Sequence, residues 1–87
     1  MTLEVGDKFK WFNEDIIYTI VEMDLNRAYG QYLVEWWSHG IWGVYDKRIM
    51  WDGDVIGMNE KLSDGTVLLV YKANKIGPIG SIKKLIF

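Results

Sequence analysis

The chain has no cysteine, one histidine and one proline. Without cysteine no disulfide can staple it, and nothing follows about the redox state of its compartment. A single histidine with no cysteine also removes the usual ligand set of a structural zinc site, so no metal is expected. No apolar run approaches the ~18 residues of a membrane-spanning helix, so no membrane partner is expected either. The opening residues Met1 to Asp7 carry acid and lack the basic-then-apolar order of a signal peptide. The sequence therefore reads as a complete cytoplasmic protein. No motif implies a cofactor.

What remains must build a core from apolar packing. A domain of this size buries only roughly 60% of the surface its unfolded chain exposes. The composition suits the task, with 49% hydrophobic residues and five tryptophans in 87 positions. Each large aromatic can bury about 150–250 Å². The net charge of −2 argues against strong non-specific DNA binding. It hides an asymmetry: residues 1–64 hold all 12 acidic residues and six basic ones, whereas residues 65–87 hold four lysines and no acid. Such asymmetry can orient a partner. The simpler role for Lys83 and Lys84 is to blunt an edge strand.

No repeat, low-complexity tract or linker interrupts the chain, so residues 1–87 are expected to form one small β domain. Turn signals recur every eight to twelve residues, which is all-β spacing. Strands are expected over Lys8–Phe12, Ile16–Asp24, Gln31–Ser38, Ile41–Arg48, Thr66–Lys72 and Ser81–Phe87. Trp51 to Asp54 reads as a turn. A helix is hard to place, and the best candidate is one turn near Leu25–Tyr29 ended by Gly30. The expected fold class is all-β, with five to seven short strands in a strongly bent antiparallel sheet or small barrel.

The opening Val5-Gly6-Asp7-Lys8-Phe9-Lys10, followed by Tyr18-Thr19-Ile20-Val21-Glu22-Met23-Asp24, resembles the first hairpin of SH3-like small barrels. The resemblance covers roughly the first 45 residues. It lacks the Ala-Leu-Tyr-Asp-Tyr motif of proline-binding SH3 domains, so that ligand class is not carried over. What it implies is a barrel that binds peptides, proteins or nucleic acids along its loops and one strand face. Fold alone does not set function. By analogy, a short frame of this kind matches small accessory proteins of phages, which often bind and block a host factor.

Residues Gln31 to Arg48 can be read in more detail. A two-residue His39-Gly40 loop would pair Trp37 with Trp42, Glu35 with Val44 and Val34 with Tyr45. The period of two then separates two faces. Tyr32, Val34, Trp36, Ile41 and Tyr45 form an apolar face assigned to the core. Leu33, Glu35, Trp37, Trp42, Val44 and Asp46 form the other, and two carboxylates make it a poor core face. Trp37 and Trp42 would stack across the hairpin with Glu35, Val44 and Asp46 around them, an arrangement suited to a protein-binding hot spot. The competing reading is that both rings are ordinary core. A three-residue loop would shift the register and change the pairs. Trp11 alternates with Lys8 and Lys10 and is expected in the core. Trp51 could cap the barrel or line a cleft.

Enzyme readings fail on inventory. His39 sits in the expected turn without a fixed acid partner. Ser38, Ser63 and Ser81 lack a nucleophile-elbow context. Ile76 to Gly80 has the wrong spacing for a phosphate loop. Asp52 and Asp54 flank Gly53 without the other ligands of a calcium loop. The chain is thus expected to be a non-enzymatic binding protein, with a protein as partner and a homodimer as a further possibility. One alternative is a nucleic-acid-binding barrel using Lys8, Lys10, Lys72, Lys83 and Lys84, if the first and last strands pair. Another is a small-molecule or nucleotide binder with its pocket between subunits, because so small a barrel fills its own interior.

Overall fold

A computed structural model describes residues 2–73. The expected strand Ser81–Phe87, with Lys83 and Lys84, lies outside the described residues. Within them run β1 (Lys8–Trp11), β2 (Tyr18–Met23), β3 (Tyr32–His39), β4 (Tyr45–Asp52), α1 (Val55–Asp64) and β5 (Val67–Tyr71). All five strands belong to one antiparallel sheet in the order β4-β3-β2-β1-β5. The first four strands form a meander, and α1 carries the chain back to place β5 beside β1. The mostly-β expectation holds. The barrel does not: β4 and β5 stand at opposite edges, so among the described strands the sheet is open.

Two register shifts bend it. One lies between Ile20 and Glu22 where β2 pairs with β3, the other between Lys8 and Phe9 where β1 pairs with β5. An extra residue at each point leaves one position unpaired and increases the local twist. The shift in β2 also explains why Tyr18 and Ile20 share the inner face with Met23, although their numbers differ in parity.

The inner face is built by alternation. Phe9 and Trp11 from β1, Tyr32, Val34 and Trp36 from β3, and Val67 and Leu69 from β5 point the same way. Leu3, Phe9, Ile20, Tyr32, Val34, Met58 and Val67 are buried. Trp11 and Trp36 pack against this core without being fully covered.

The helix corrects the sequence reading, which placed its one turn at Leu25–Tyr29. That stretch is a turn and bend begun by Asp24, whose side chain accepts from the Asn26 amide at 3.0 Å. The real helix starts after Asp54, whose Oδ1 accepts from the Gly57 amide at 2.7 Å. It ends at Gly65 with φ 84°, a left-handed cap. Val55, Met58 and Leu62 fall on one helical stripe and face the core. Gln31 fastens the helix start to the sheet, since its Oε1 accepts from the Val55 amide at 3.0 Å.

Asp7 is the one buried charged residue among those described, at 0% exposure. Its Oδ2 accepts from the Glu4 amide at 2.8 Å and from Lys72 Nζ at 2.9 Å, and its Oδ1 accepts from the Ala73 amide at 2.8 Å. A buried carboxylate is tolerable only when so partnered. It ties the segment before β1 to the end of β5.

Candidate functional site: the hairpin arm and the inner-face cleft

The β3–β4 hairpin is longer than the sheet beside it. β2 pairs with β3 only from Met23↔Tyr32 to Thr19↔Glu35. Beyond Glu35 the two strands continue as far as His39↔Tyr45 with no third strand paired to β3. The hairpin is therefore an arm whose distal half is a two-strand ribbon. β4 is an edge along its whole length and is exposed from Tyr45 to Met50.

The turn is not the one expected at His39-Gly40. Gly40 is extended, with φ −87° and ψ −175°, and its amide donates to the Val44 carbonyl at 2.7 Å. The positive φ angles fall instead on Trp42, at 70°, and Gly43, at 72°. The connection runs from Gly40 to Val44 with a 3-10 turn over Ile41–Gly43. Trp37 thus faces Lys47 rather than Trp42, Glu35 faces Ile49 rather than Val44, and Val34 faces Met50 rather than Tyr45. A shift by an odd number of residues turns every side chain of β4 to the other face.

The consequences differ for each expected site residue. Trp37 and Glu35 do lie on the outer face, with Lys47 between them: its Nζ is 3.5 Å from Glu35 Oε1 and 6.0 Å from the Trp37 ring centroid. Trp37 is 58% exposed. Trp42 and Val44 sit at the exposed tip, and Trp42 is 93% exposed. The expected Trp37–Trp42 stack is absent. Asp46 is on the opposite face, facing Ser38 across the ladder and 3.9 Å from Arg48. Tyr45, expected in the core, is exposed on the outer face with its ring 4.1 Å from that of His39. Trp51 also lies on the outer face, covered by the Arg27 guanidinium at 4.3 Å.

Of the lysines of the nucleic-acid alternative, Lys8 and Lys10 share the outer face of β1 and Lys72 follows β5 beside them, each with a local partner. Lys8 donates to Thr19 Oγ1 at 2.8 Å, Lys10 is 3.9 Å from Asp15, and Lys72 is held by Asp7 and Glu4. Among the described residues no group of three or more histidine, cysteine, aspartate or glutamate side chains could hold a metal ion.

The inner face carries a second concavity that the sequence reading did not single out. A cleft of about 380 Å³ opens between the sheet and α1. Its wall is a row of rings: Phe9 stacks on Tyr18 at 5.3 Å, and Tyr18 meets Trp36 at 5.2 Å, with Trp11 beside them. Met50 closes one side, and Asp52, Asp54 and Lys61 reach the cleft from the end of β4 and from α1. The Tyr18 hydroxyl donates to Glu14 Oε1 at 3.0 Å. Its pKa is pushed up to about 12 by burial first, then by the Glu14 hydrogen bond and charge and by the charge of Asp52. The usable signal in the sequence was an aromatic at an inner-facing position in each of β1, β2 and β3. Only the register brings Met50 and Asp52 alongside them.

Comparison with protein-family models, with curated proteins and with solved structures finds no match. The reading of function therefore rests on the two surfaces just described.

Proposed function

We propose that this chain is a non-enzymatic binding protein that recognises a protein partner through the tip and outer face of the β3–β4 hairpin. The observation that carries this reading is Trp42, 93% exposed and held at φ 70°. A bulky residue in the left-handed region costs of order 1–3 kcal/mol. The turn takes positive φ at both Trp42 and Gly43, and burial of the Trp42 ring does not offset the cost, because that ring is exposed. A large ring kept in an unfavourable conformation at the tip of an arm is suited to insertion into a partner. Trp37, Tyr45 and Val44 add exposed apolar area on the same arm, and tryptophan and tyrosine are enriched where binding energy concentrates. The exposed β4 edge could add main-chain pairing.

No helix among the described residues is long and apolar enough to cross a membrane. We infer as its biological form the blocking of a host factor, in the manner of small phage accessory proteins. The test is affinity capture on the immobilised full chain, with nuclease treatment in parallel. The parent should retain a protein that survives nuclease treatment and is lost with Trp42→Gly and with Trp37→Ala. Equal capture by both variants, or capture that nuclease abolishes, would overturn the reading.

A further inference from the structure

The inner-face cleft lies across the sheet from Trp37, so what it holds is independent of the hairpin arm. We propose that it binds an organic cation, an alkylated ammonium group, seated against the rings of Tyr18 and Trp36 and held by the carboxylate of Asp52.

Three observations converge on this ligand. The first is the aromatic row. Phe9, Tyr18 and Trp36 lie at 5.2–5.3 Å from one ring to the next across three adjacent strands. Tyr18 and Trp36 pack against the core but remain partly uncovered, because α1 covers the sheet through Val55, Met58 and Leu62. Ring faces attract a cation through their quadrupole, most strongly for tryptophan and when water is excluded.

The second is size. A cleft of about 380 Å³ falls in the range of small-ligand pockets, roughly 300–1,000 Å³, and is mostly apolar with a few polar groups at its margin, as such pockets are.

The third is charge. Asp52 and Asp54 reach the cleft against the single cation Lys61. Glu14 adds a third carboxylate behind the Tyr18 hydroxyl. Asp54 is committed to capping α1. Asp52 accepts from the Gly53 amide at 2.8 Å and has no cationic side chain within ion-pair distance among the described residues. The rings would also stack a nucleobase, but this margin repels the phosphates that nucleotides carry. A cation satisfies both the rings and the unpaired carboxylate.

The experiment is an NMR titration of the full chain with choline and, in parallel, with 3,3-dimethylbutan-1-ol, which has the same shape with carbon in place of the charged nitrogen. Choline should move the Trp11 and Trp36 indole signals saturably. The neutral analogue should bind about tenfold more weakly or worse, as expected when a desolvated cation–ring contact is lost. Asp52→Asn, at an exposed position, should keep the folded spectrum and weaken choline several-fold. Equal binding of the two compounds would overturn the proposal, as would the absence of saturable shifts or unchanged affinity in Asp52→Asn. Contacts from Leu85 or Phe87 to the Trp36 ring in the ligand-free protein would overturn it too, by showing that the chain fills the cleft itself.

Discussion

Lys72 Nζ lies 2.9 Å from the Oδ2 of Asp7, across 65 residues of chain, and the carboxylate it meets is fully buried. Burial alone would raise the Asp7 pKa. The Lys72 hydrogen bond, the amides of Ala73 and Glu4 and the Lys72 charge outweigh it, so the group sits below the usual carboxylate value. A depressed folded pKa gives stability that is present above the unfolded value, about 3.9, and lost as pH falls through the folded value. Urea unfolding followed over acidic pH should therefore show stability dropping below about pH 4. Asp7→Asn should flatten that drop and cost about 2–3 kcal/mol at neutral pH, since it weakens a buried, multiply bonded acceptor. An unchanged profile in Asp7→Asn would show that the acid response comes from elsewhere.

Tyr18 should behave in the opposite sense. Its folded pKa is raised to about 12, so its contribution is present below the unfolded value, about 10, and lost as pH rises through the folded one. In an ultraviolet titration Tyr18 should ionise late, and so should the buried Tyr32, whose pKa burial also raises. Tyr18→Phe should remove the Tyr18 share of that late ionisation, and Glu14→Gln should bring that share to lower pH.

Trp42→Gly should separate folding from binding. Glycine adopts the left-handed conformation without steric cost, so thermal stability should hold or rise, by up to about 1 kcal/mol. Partner binding should fall by about 2 kcal/mol or more if Trp42 is a hot spot. A marked loss of stability would mean that the ring holds the turn together.

Trp36 and Trp37 are neighbours with opposite tasks. Trp36 packs against the core and its ring is 5.2 Å from that of Tyr18. Trp36→Ala should cost about 2–3 kcal/mol, somewhat less than a fully buried aromatic would. Trp37→Ala removes an exposed ring and should cost about 1 kcal/mol or less. Denaturant midpoints of the two variants decide this, and the reverse order would mean that the faces are exchanged.

The β4 edge should favour self-association. Its backbone has no partner strand on one side, and Ile49 and Met50 are exposed along it. Two such edges related by a twofold axis could pair and cover each other. Sedimentation at high micromolar concentration should show a dimer, whereas a monomer would mean that charges such as Lys47 and Arg48 suffice to guard the edge.

Much of this protein was legible one strand at a time. Tyr32, Val34 and Trp36 alternate with Leu33, Glu35 and Trp37, and the burial of Tyr32 and Val34 and the partial burial of Trp36 follow from that alternation alone. The same holds for Phe9 and Trp11 against Lys8 and Lys10. The helix was legible in principle. Asp54, the stripe Val55-Met58-Leu62 and Gly65 are its start, face and stop, but a ten-residue helix among so many strand signals is easily read as loop.

The relation between strands was not legible. Of the turns His39-Gly40 and Trp42-Gly43, local chemistry favours the first, because positive φ is unfavourable for Trp42. Tertiary structure chose the second, which sets Val34 against Met50 and Tyr32 against Asp52. That register brings Met50 and Asp52 to the inner-face cleft, leaves Asp46 on the face away from Trp37, and puts Trp42 and Val44 at the tip. Strand side chains repeat every two residues, so each strand's own faces follow from its sequence. Which face of β4 joins which face of β3 depends on a single turn, whose position is settled only by the packing of the whole sheet.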